Sequence, residues 1–544
     1  MNGVILIGSW KWLHILVINK KMYDIIIKNA NIIDGTGNAA FRADIGIRED
    51  EIRKIGELGD ERASVEIDAQ GKMVCPGFID VNNHSDTYWR IFLNPHLESL
   101  IYQGITTIVG GNCGTSLAPL ATPATIDAIQ KWVDVKKINI SWLKVEELFS
   151  VLEEKKISSN FATLVGHATL RRGVIGDEVR SLLPKEIEAL KKSLENAMKE
   201  GALGMSTGLI YSHARLAPYD ELLTLAKIVK KYKGVYATHI RSEQGDIVEA
   251  IEEALRVARE SGVRLQISHL KVIGEKNWSK MGEVLDLIGK AKEEGIDVTF
   301  DVYPYTSTGS VLYSFLPIWI SEGGKRIMLH RLKDPVIRAK IIDEMRESDF
   351  DYSKIEIAIS PLNKTLARHS ISEIAQSQER SVEEVIIDIL VASEGMVVTS
   401  VEVLSEENVR QAIAHPLSFI ATNGSGYDIF HAKTGERVHP RNFGSFVKVL
   451  EKYVKKEKLL SWELAICKMT SAPALKFGIK KRGVLKKGYF ADIVILDRDK
   501  LKSPATIENP YQYSQGVEFV IVNGEIVLAD SVYNGNRNGR VIKR

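Results

Sequence analysis

Between residues 78 and 421, eight short apolar runs alternate with helical patterns. The runs cover residues 78–81, 106–110, 162–165, 204–206, 235–238, 265–268, 298–300 and 418–421. Amphipathic segments at Pro184–Lys199, 219–233, 246–260 and 280–294 lie between them, with apolar residues three and four positions apart. Runs too short for helices, separated by such segments, mark βαβ units on a parallel sheet. Eight strand–helix units predict a (β/α)8 barrel of the TIM-like class rather than a doubly wound sheet.

The chain is too long for that unit alone. Its 544 residues exceed the ~200–300 at which single cores stop growing, which predicts at least one further domain. Period-2 alternation at both ends, over residues 23–34 with 43–57 and 491–496 with 517–527, reads as strands joined by Gly, Asn and Asp turns. NANIID and VNGEIV look like matching hairpin pieces. The expected layout is a small β domain drawn from residues 22–75 and 481–544, flanking a barrel over 76–480. Residues 306–416 are too long for a βα loop and carry helical patterns of their own, so they predict an inserted lid subdomain.

Residues 1–21 contain the apolar stretch GVILIGSWKWLHILVI. Lys11 and His14 interrupt it, it is shorter than the ~20 residues of a spanning helix, and no small-residue cleavage site precedes Lys20 and Lys21. It reads as a non-structural extension from a start assigned too early, ahead of a fold beginning near Met22. The alternative is a non-cleaved N-terminal anchor. With 72 basic and 70 acidic residues, charge points to neither nucleic acid nor an anionic membrane. Three scattered cysteines make no disulfide framework, so the expected location is the cytoplasm.

Nearly every apolar run ends in residues suited to catalysis or metal binding: DVNNHSD, VGGNCG, VGHATLR, STGLIYS, THIRSE, SHLK, FDVYPY and ATNGSG. In a barrel these ends converge on the rim where active sites are built. Cys113, His239 and His269, from the second, fifth and sixth runs, offer one thiolate and two imidazoles with a fourth position open, the arrangement of catalytic zinc. Such an ion supplies Lewis acidity and an activated water for hydrolysis.

The sequence resembles the N-acyl-D-amino-acid deacylases (D-aminoacylases) of the amidohydrolase superfamily from Met22 to Arg544. The likeness rests on MYDIIIKNANIIDGTG, VCPGFIDV, GITTIVGGNCGTSLAPL, LVGHATLR, GALGMSTGLIY, YATHIRSEQGD, QISHLK, DVYPY, HPRNFGSF, GVLKKGYFADIVILD and IVNGEIVLADSVYNGNRNGRV. The resemblance implies one tightly bound zinc on Cys113, His239 and His269, matching the triad above. It further implies that Lys271, Tyr303 and Arg441 bind a substrate carboxylate, which suits a cationic pair and a phenol donor. His167 also fits the pattern, as a residue lining or backing the site.

Two positions depart from it. The superfamily's His-x-His motif reads Asn82-Asn83-His84, and the family's eighth-strand aspartate, a general acid/base, is Asn423. The first loss leaves His84 as a weak ligand for any second metal. The second removes a proton carrier of a kind worth ~10²–10⁴ in rate. Candidate substitutes are His84, Asp86 and Glu243. Three readings stay open: a mononuclear zinc hydrolase of N-acyl amino acids or similar small carboxylates, a ligand-binding homologue that no longer hydrolyses, and ring opening of a cyclic amide or deamination on the same metal.

Overall fold

The computed structural model describes residues 23–123, 125, 126, 138–322, 324–347, 350–361, 366 and 369–544. The predicted extension over residues 1–21 lies outside them. The described chain opens with β1 (Tyr23–Ile32), β2 (Phe41–Arg48), β3 (Glu51–Gly56), β4 (Ala63–Asp68) and β5 (Met73–Pro76). A second series follows: β6 (Phe78–Asp80), β7 (Ile105–Gly110), β8 (Asn160–Thr163), β9 (Val165–Gly166), β10 (Gly204–Gly208), β11 (Val235–His239), β12 (Arg264–Ile267) and β13 (Val298–Val302). Next come β14 (Ser307–Val311), β15 (Glu356–Ile359) and β16 (Val398–Glu402), then β17 (Ser418–Ile420). The C-terminal strands are β18 (Ile493–Leu496), β19 (Val517–Val522), β20 (Glu525–Ala529) and β21 (Val532–Tyr533).

The second series pairs in parallel throughout, as β6-β7-β8 and as β9-β10-β11-β12-β13-β17. All eight apolar runs seen in the sequence fall on these strands. The third is split at Leu164, whose N–H bonds Gly110 O at 3.0 Å, so β9 resumes one residue after β8. A parallel bridge between Asn83 and Gly424 sets the chain leaving β6 beside the chain leaving β17. Because the strands run the same way, their C-terminal ends lie on one side.

The intervening helices follow from their apolar spacing. Pro184–Lys199 starts with proline at its first turn, and Glu186 accepts the Leu183 N–H at 2.7 Å, satisfying an end donor. It buries Leu190, Leu194, Ala197 and Met198. The helix expected over 219–233 stops at Lys231, because Lys233 takes a left-handed φ of 50° before Gly234. The one expected over 246–260 is Ile247–Ser261 and ends at Gly262 with φ 68°, a common glycine stop.

A nine-stranded sheet draws β1–β5 and β18–β21 from both ends of the described chain, joined where β18 pairs antiparallel with β5. Of the two motifs read as hairpin pieces, VNGEIV contains the turn itself. Asn523 and Gly524 both have positive φ, 50° and 81°, as a two-residue hairpin turn requires. NANIID is the end of β1, which meets β2 across residues 33–40 and carries a register shift beside Asn29 instead of a turn. Described residues between positions 312 and 401, including Leu312, Met328, Ile357, Ile386 and Leu390, form a hydrophobic cluster of their own beside the β14-β16-β15 sheet. Cys75, Cys113 and Cys467 form no disulfide among the described residues. Among the described residues no helix is long and apolar enough to cross a membrane.

Candidate active site

His239 is the last residue of β11, while Cys113, His269 and Asn423 follow β7, β12 and β17 within three residues. Parallel strands thus deliver them to one place. One ligand atom each from Cys113, His239 and His269 lies within 4.8 Å of the others, and all three residues are buried. Cys113 Sγ is 3.4 Å from His269 Nε2 and 3.8 Å from His84 Nε2. The imidazoles of His239 and His269 stand edge to face, 4.3 Å apart. A soft sulfur and two ring nitrogens converging this closely suit zinc.

Local backbone geometry accompanies this convergence. Cys113, His269 and Asn423 all hold left-handed φ values, 52°, 39° and 46°, which for non-glycine residues cost about 1–2 kcal/mol and cluster at functional sites. Gly208 is needed beside Cys113, since a Cβ there would sit 2.3 Å from the Cys113 carbonyl oxygen.

Carboxylates surround the two histidines. Glu243 Oε1 lies 3.2 Å from His269 Nδ1 and 3.4 Å from His239 Nε2, and it also pairs with the Lys271 ammonium. Burial alone would raise the pKa of Glu243, but Lys271 and His239 outweigh it and hold the carboxyl well below its usual range. Burial, with Lys271 and His239, lowers His269 to about 3, so its ring is neutral as a metal ligand must be. Asp301, which the sequence reading passed over inside FDVYPY, accepts the His269 backbone N–H at 2.8 Å, the Asn82 amide at 2.9 Å and the Gln266 amide at 2.8 Å. Asn82 is thereby turned into a partner of Asp301.

The departing positions meet each other's neighbours. Asn423 Oδ1 is 2.9 Å from His84 Nε2, so the amide oxygen accepts an imidazole N–H. Asp86 Oδ2 accepts the Gly111 N–H at 2.6 Å and does not line the cavity that His84 and Glu243 line. His167 is not a cavity residue either. Its Nε2 is 2.7 Å from Glu221 Oε1, and Arg171 Nη1 reaches both Glu221 oxygens at 2.6 and 2.7 Å, all fully buried. Arg171→Ala would strip most of the compensation from a buried carboxylate and is expected to cost about 3–5 kcal/mol of stability in chemical denaturation.

The cavity measures about 490 Å³ and runs from His84, Cys113 and Asn423 to Thr308, Tyr313 and Met328, in the stretch between β13 and β17. Lys271 and Arg441 line it. Tyr303 does not, but its ring lies 5.2 Å from the Arg441 guanidinium carbon. Nε and Nη1 of Arg441 and the Tyr303 hydroxyl are buried and have no hydrogen-bond partner among the described residues. Buried donors of that kind are normally satisfied, and a planar carboxylate would satisfy them.

The model of the amidohydrolase family matches residues 65–528. The D-aminoacylase of Alcaligenes xylosoxydans xylosoxydans is 33% identical over 525 residues, covering 96% of this chain and 98% of that protein. A crystal structure of N-acyl-D-glutamate deacylase from Bordetella bronchiseptica, complexed with zinc and a phosphonate inhibitor, superposes with a TM-score of 0.81 at 31% identity, over 96% of this chain and 100% of that one. A D-aminoacylase structure from work on its binuclear metal centre, described as showing one-metal activation and second-metal attenuation, gives 0.81 at 32% identity with the same coverage. With a family model spanning most of its length, and that identity sustained across both whole chains, the protein belongs to the amidohydrolase family, in its D-aminoacylase group.

Proposed function

We propose that this protein is a zinc-dependent amidohydrolase that cleaves the amide bond of N-acyl amino acids or similar small carboxylates, with one tightly bound ion. The observation that carries the reading is the buried convergence of Cys113, His239 and His269 in the same cavity as Arg441, whose Nε and Nη1 have no hydrogen-bond partner among the described residues. We infer that the parallel strands make a (β/α)8 barrel. Residues 22–75 and 481–544 would form its flanking β domain, and 306–416 a lid over the cavity.

Cys113, His239 and His269 would hold the zinc, which when bound supplies Lewis acidity and an activated water. Glu243 and Asp301 keep His269 in place, the first at its ring and the second at its backbone. Arg441 and Lys271 grip the substrate carboxylate, with Tyr303 beside Arg441. Replacing Arg441 with alanine is expected to raise KM about 10–100-fold with a smaller change in kcat, as for loss of a charge-assisted pair worth about 1.5–3 kcal/mol.

Asn423 cannot take up a proton. Of the proposed substitutes, Asp86 faces the Gly111 amide and Glu243 is held ionised among Lys271 and two imidazoles. His84 is the remaining candidate, with Nε2 between Asn423 and Cys113. The test is zinc content of purified protein together with acyl release across N-acyl-D- and N-acyl-L-amino acids. Metal without any acyl release would refute hydrolysis and favour a ligand-binding role, the reading that Asn423 supports.

A second ion would rest on His84 alone, since Asn82 is engaged by Asp301. Excess zinc is therefore expected to leave activity unchanged up to at least a tenfold molar excess, unlike the second-metal attenuation described for D-aminoacylase. A zinc titration of the rate checks this.

A further inference from the structure

Arg441 opens the helix Arg441–Lys448, so its backbone N–H is one of the donors that a helix start leaves without an intrahelical acceptor. His439 Nδ1 accepts it at 3.0 Å. That bond fixes the tautomer, because Nδ1 has to present its lone pair. Burial, with the Arg441 guanidinium nearby, holds His439 well below the ordinary histidine range. The ring is therefore neutral, and its single proton sits on Nε2. Nε2 donates across 132 positions to Ser307, whose hydroxyl oxygen is 2.8 Å away and whose carbonyl oxygen is 3.2 Å away.

Ser307 is the first residue of β14, and the same strand also passes the far end of Arg441. A Cβ on Gly309 would lie 3.7 Å from Arg441 Nη2. Two tyrosines of the chain leaving β13 pack steeply against the His439 ring, Tyr303 at 6.3 Å and Tyr305 at 5.3 Å. The Tyr305 hydroxyl also donates to the Pro440 carbonyl at 3.3 Å. A helix start needs only an acceptor, which a short polar side chain supplies. The imidazole supplies an acceptor on one side and a donor on the other, and so ties the Arg441 main chain to β14. Nε and Nη1 of Arg441 have no hydrogen-bond partner among the described residues to aim them, so the direction of the guanidinium has to be set from its backbone. His439 itself does not line the 490 Å³ cavity.

We propose that His439 is a positioning residue for carboxylate recognition, aiming Arg441 into the cavity by tying its main chain to β14. This rests on the reading of Arg441 as the group that grips the substrate carboxylate.

The experiment measures kcat and KM for the N-acetyl amino acid turned over fastest and for its C-terminal carboxamide, in zinc-loaded wild type, His439→Gln and His439→Asn. An asparagine oxygen falls near the Nδ1 position and keeps an acceptor for the Arg441 N–H, whereas the glutamine amide falls near Nε2 and keeps only the tie to Ser307. In His439→Gln the preference for the acid over the carboxamide is expected to fall about tenfold, through KM, with kcat changed less than about threefold. His439→Asn should recover most of that preference. In an Arg441→Ala background, His439→Gln should cost no further preference, because it acts through Arg441. Equal loss on acid and carboxamide, as a merely structural histidine would give, overturns the proposal. So do an unchanged preference in His439→Gln, an equal loss of preference in both variants, and a further loss in the Arg441→Ala background. Should His439→Gln not fold, the same ratio in His439→Ala decides. If wild type hydrolyses nothing, calorimetric titration of N-acetyl-D-leucine and its carboxamide into the same zinc-loaded proteins reads the preference directly. A preference that His439→Gln erases then leaves the positioning role standing while the hydrolase reading fails, and a wild type that binds both alike refutes the Arg441 grip and the positioning role with it.

Discussion

Asn423→Asp is expected to raise the deacylation rate by about 10²–10⁴-fold, the range typically contributed by a positioned general acid/base. The substitution is close to a minimal change. Aspartate and asparagine have nearly the same shape, and both tolerate the left-handed backbone found here, φ 46°. An aspartate oxygen would also keep the His84 Nε2 contact that Asn423 Oδ1 makes at 2.9 Å. What changes is the ability to carry a proton beside the metal ligands. The comparison is kcat and zinc content for both proteins over the same substrates. A rate that rises at unchanged zinc content would show that only the proton carrier had been missing. An unchanged rate would mean that another group already moves the proton, and His84→Gln would then be expected to lower it by a comparable factor.

Loss of a zinc ligand should have the other large effect. Cys113→Ala is preferable to Cys113→Gly, because alanine keeps the Cβ and therefore the strain at φ 52°, so the comparison isolates the thiolate. Zinc is expected to fall from about one ion per chain to less than about 0.1. The rate should fall on the order of 10³-fold, in keeping with the several kcal/mol a catalytic metal contributes. His269→Ala should behave alike, whereas Asn82→Ala, which leaves the triad whole, should retain the ion. Inductively coupled plasma measurement on dialysed protein reads the first quantity, and acyl release the second. Zinc retained at full stoichiometry in Cys113→Ala would remove the triad from the account.

The order of the parallel strands could be read from residue types alone. Apolar runs too short for helices, separated by segments with three- and four-residue spacing, have few other ways to bury their side chains. The same logic found Cys113, His239 and His269, since a polar residue directly after a buried strand must emerge at its end. The stretch between β13 and β17 was visible only as a length that no loop explains. Its own core, and the way it brings Tyr313, Lys325 and Met328 to the cavity, were not.

What the sequence determined by itself is therefore periodic or terminal: which segments are strands and helices, and which chemistry stands at each strand end. Family resemblance added that Asn82 and Asn423 occupy positions where histidine and aspartate are usual. Only the tertiary structure decided what those side chains meet. Asn82 bonds Asp301 across 219 positions and Asn423 meets His84 across 339. Of two neighbouring arginines, Arg171 is buried against Glu221 while Arg172 lines the cavity beside Asp177. Strand periodicity is written in neighbouring residues, but the compensation of a buried charge depends on atoms within a few ångströms, which residues distant in sequence supply only after the chain has folded.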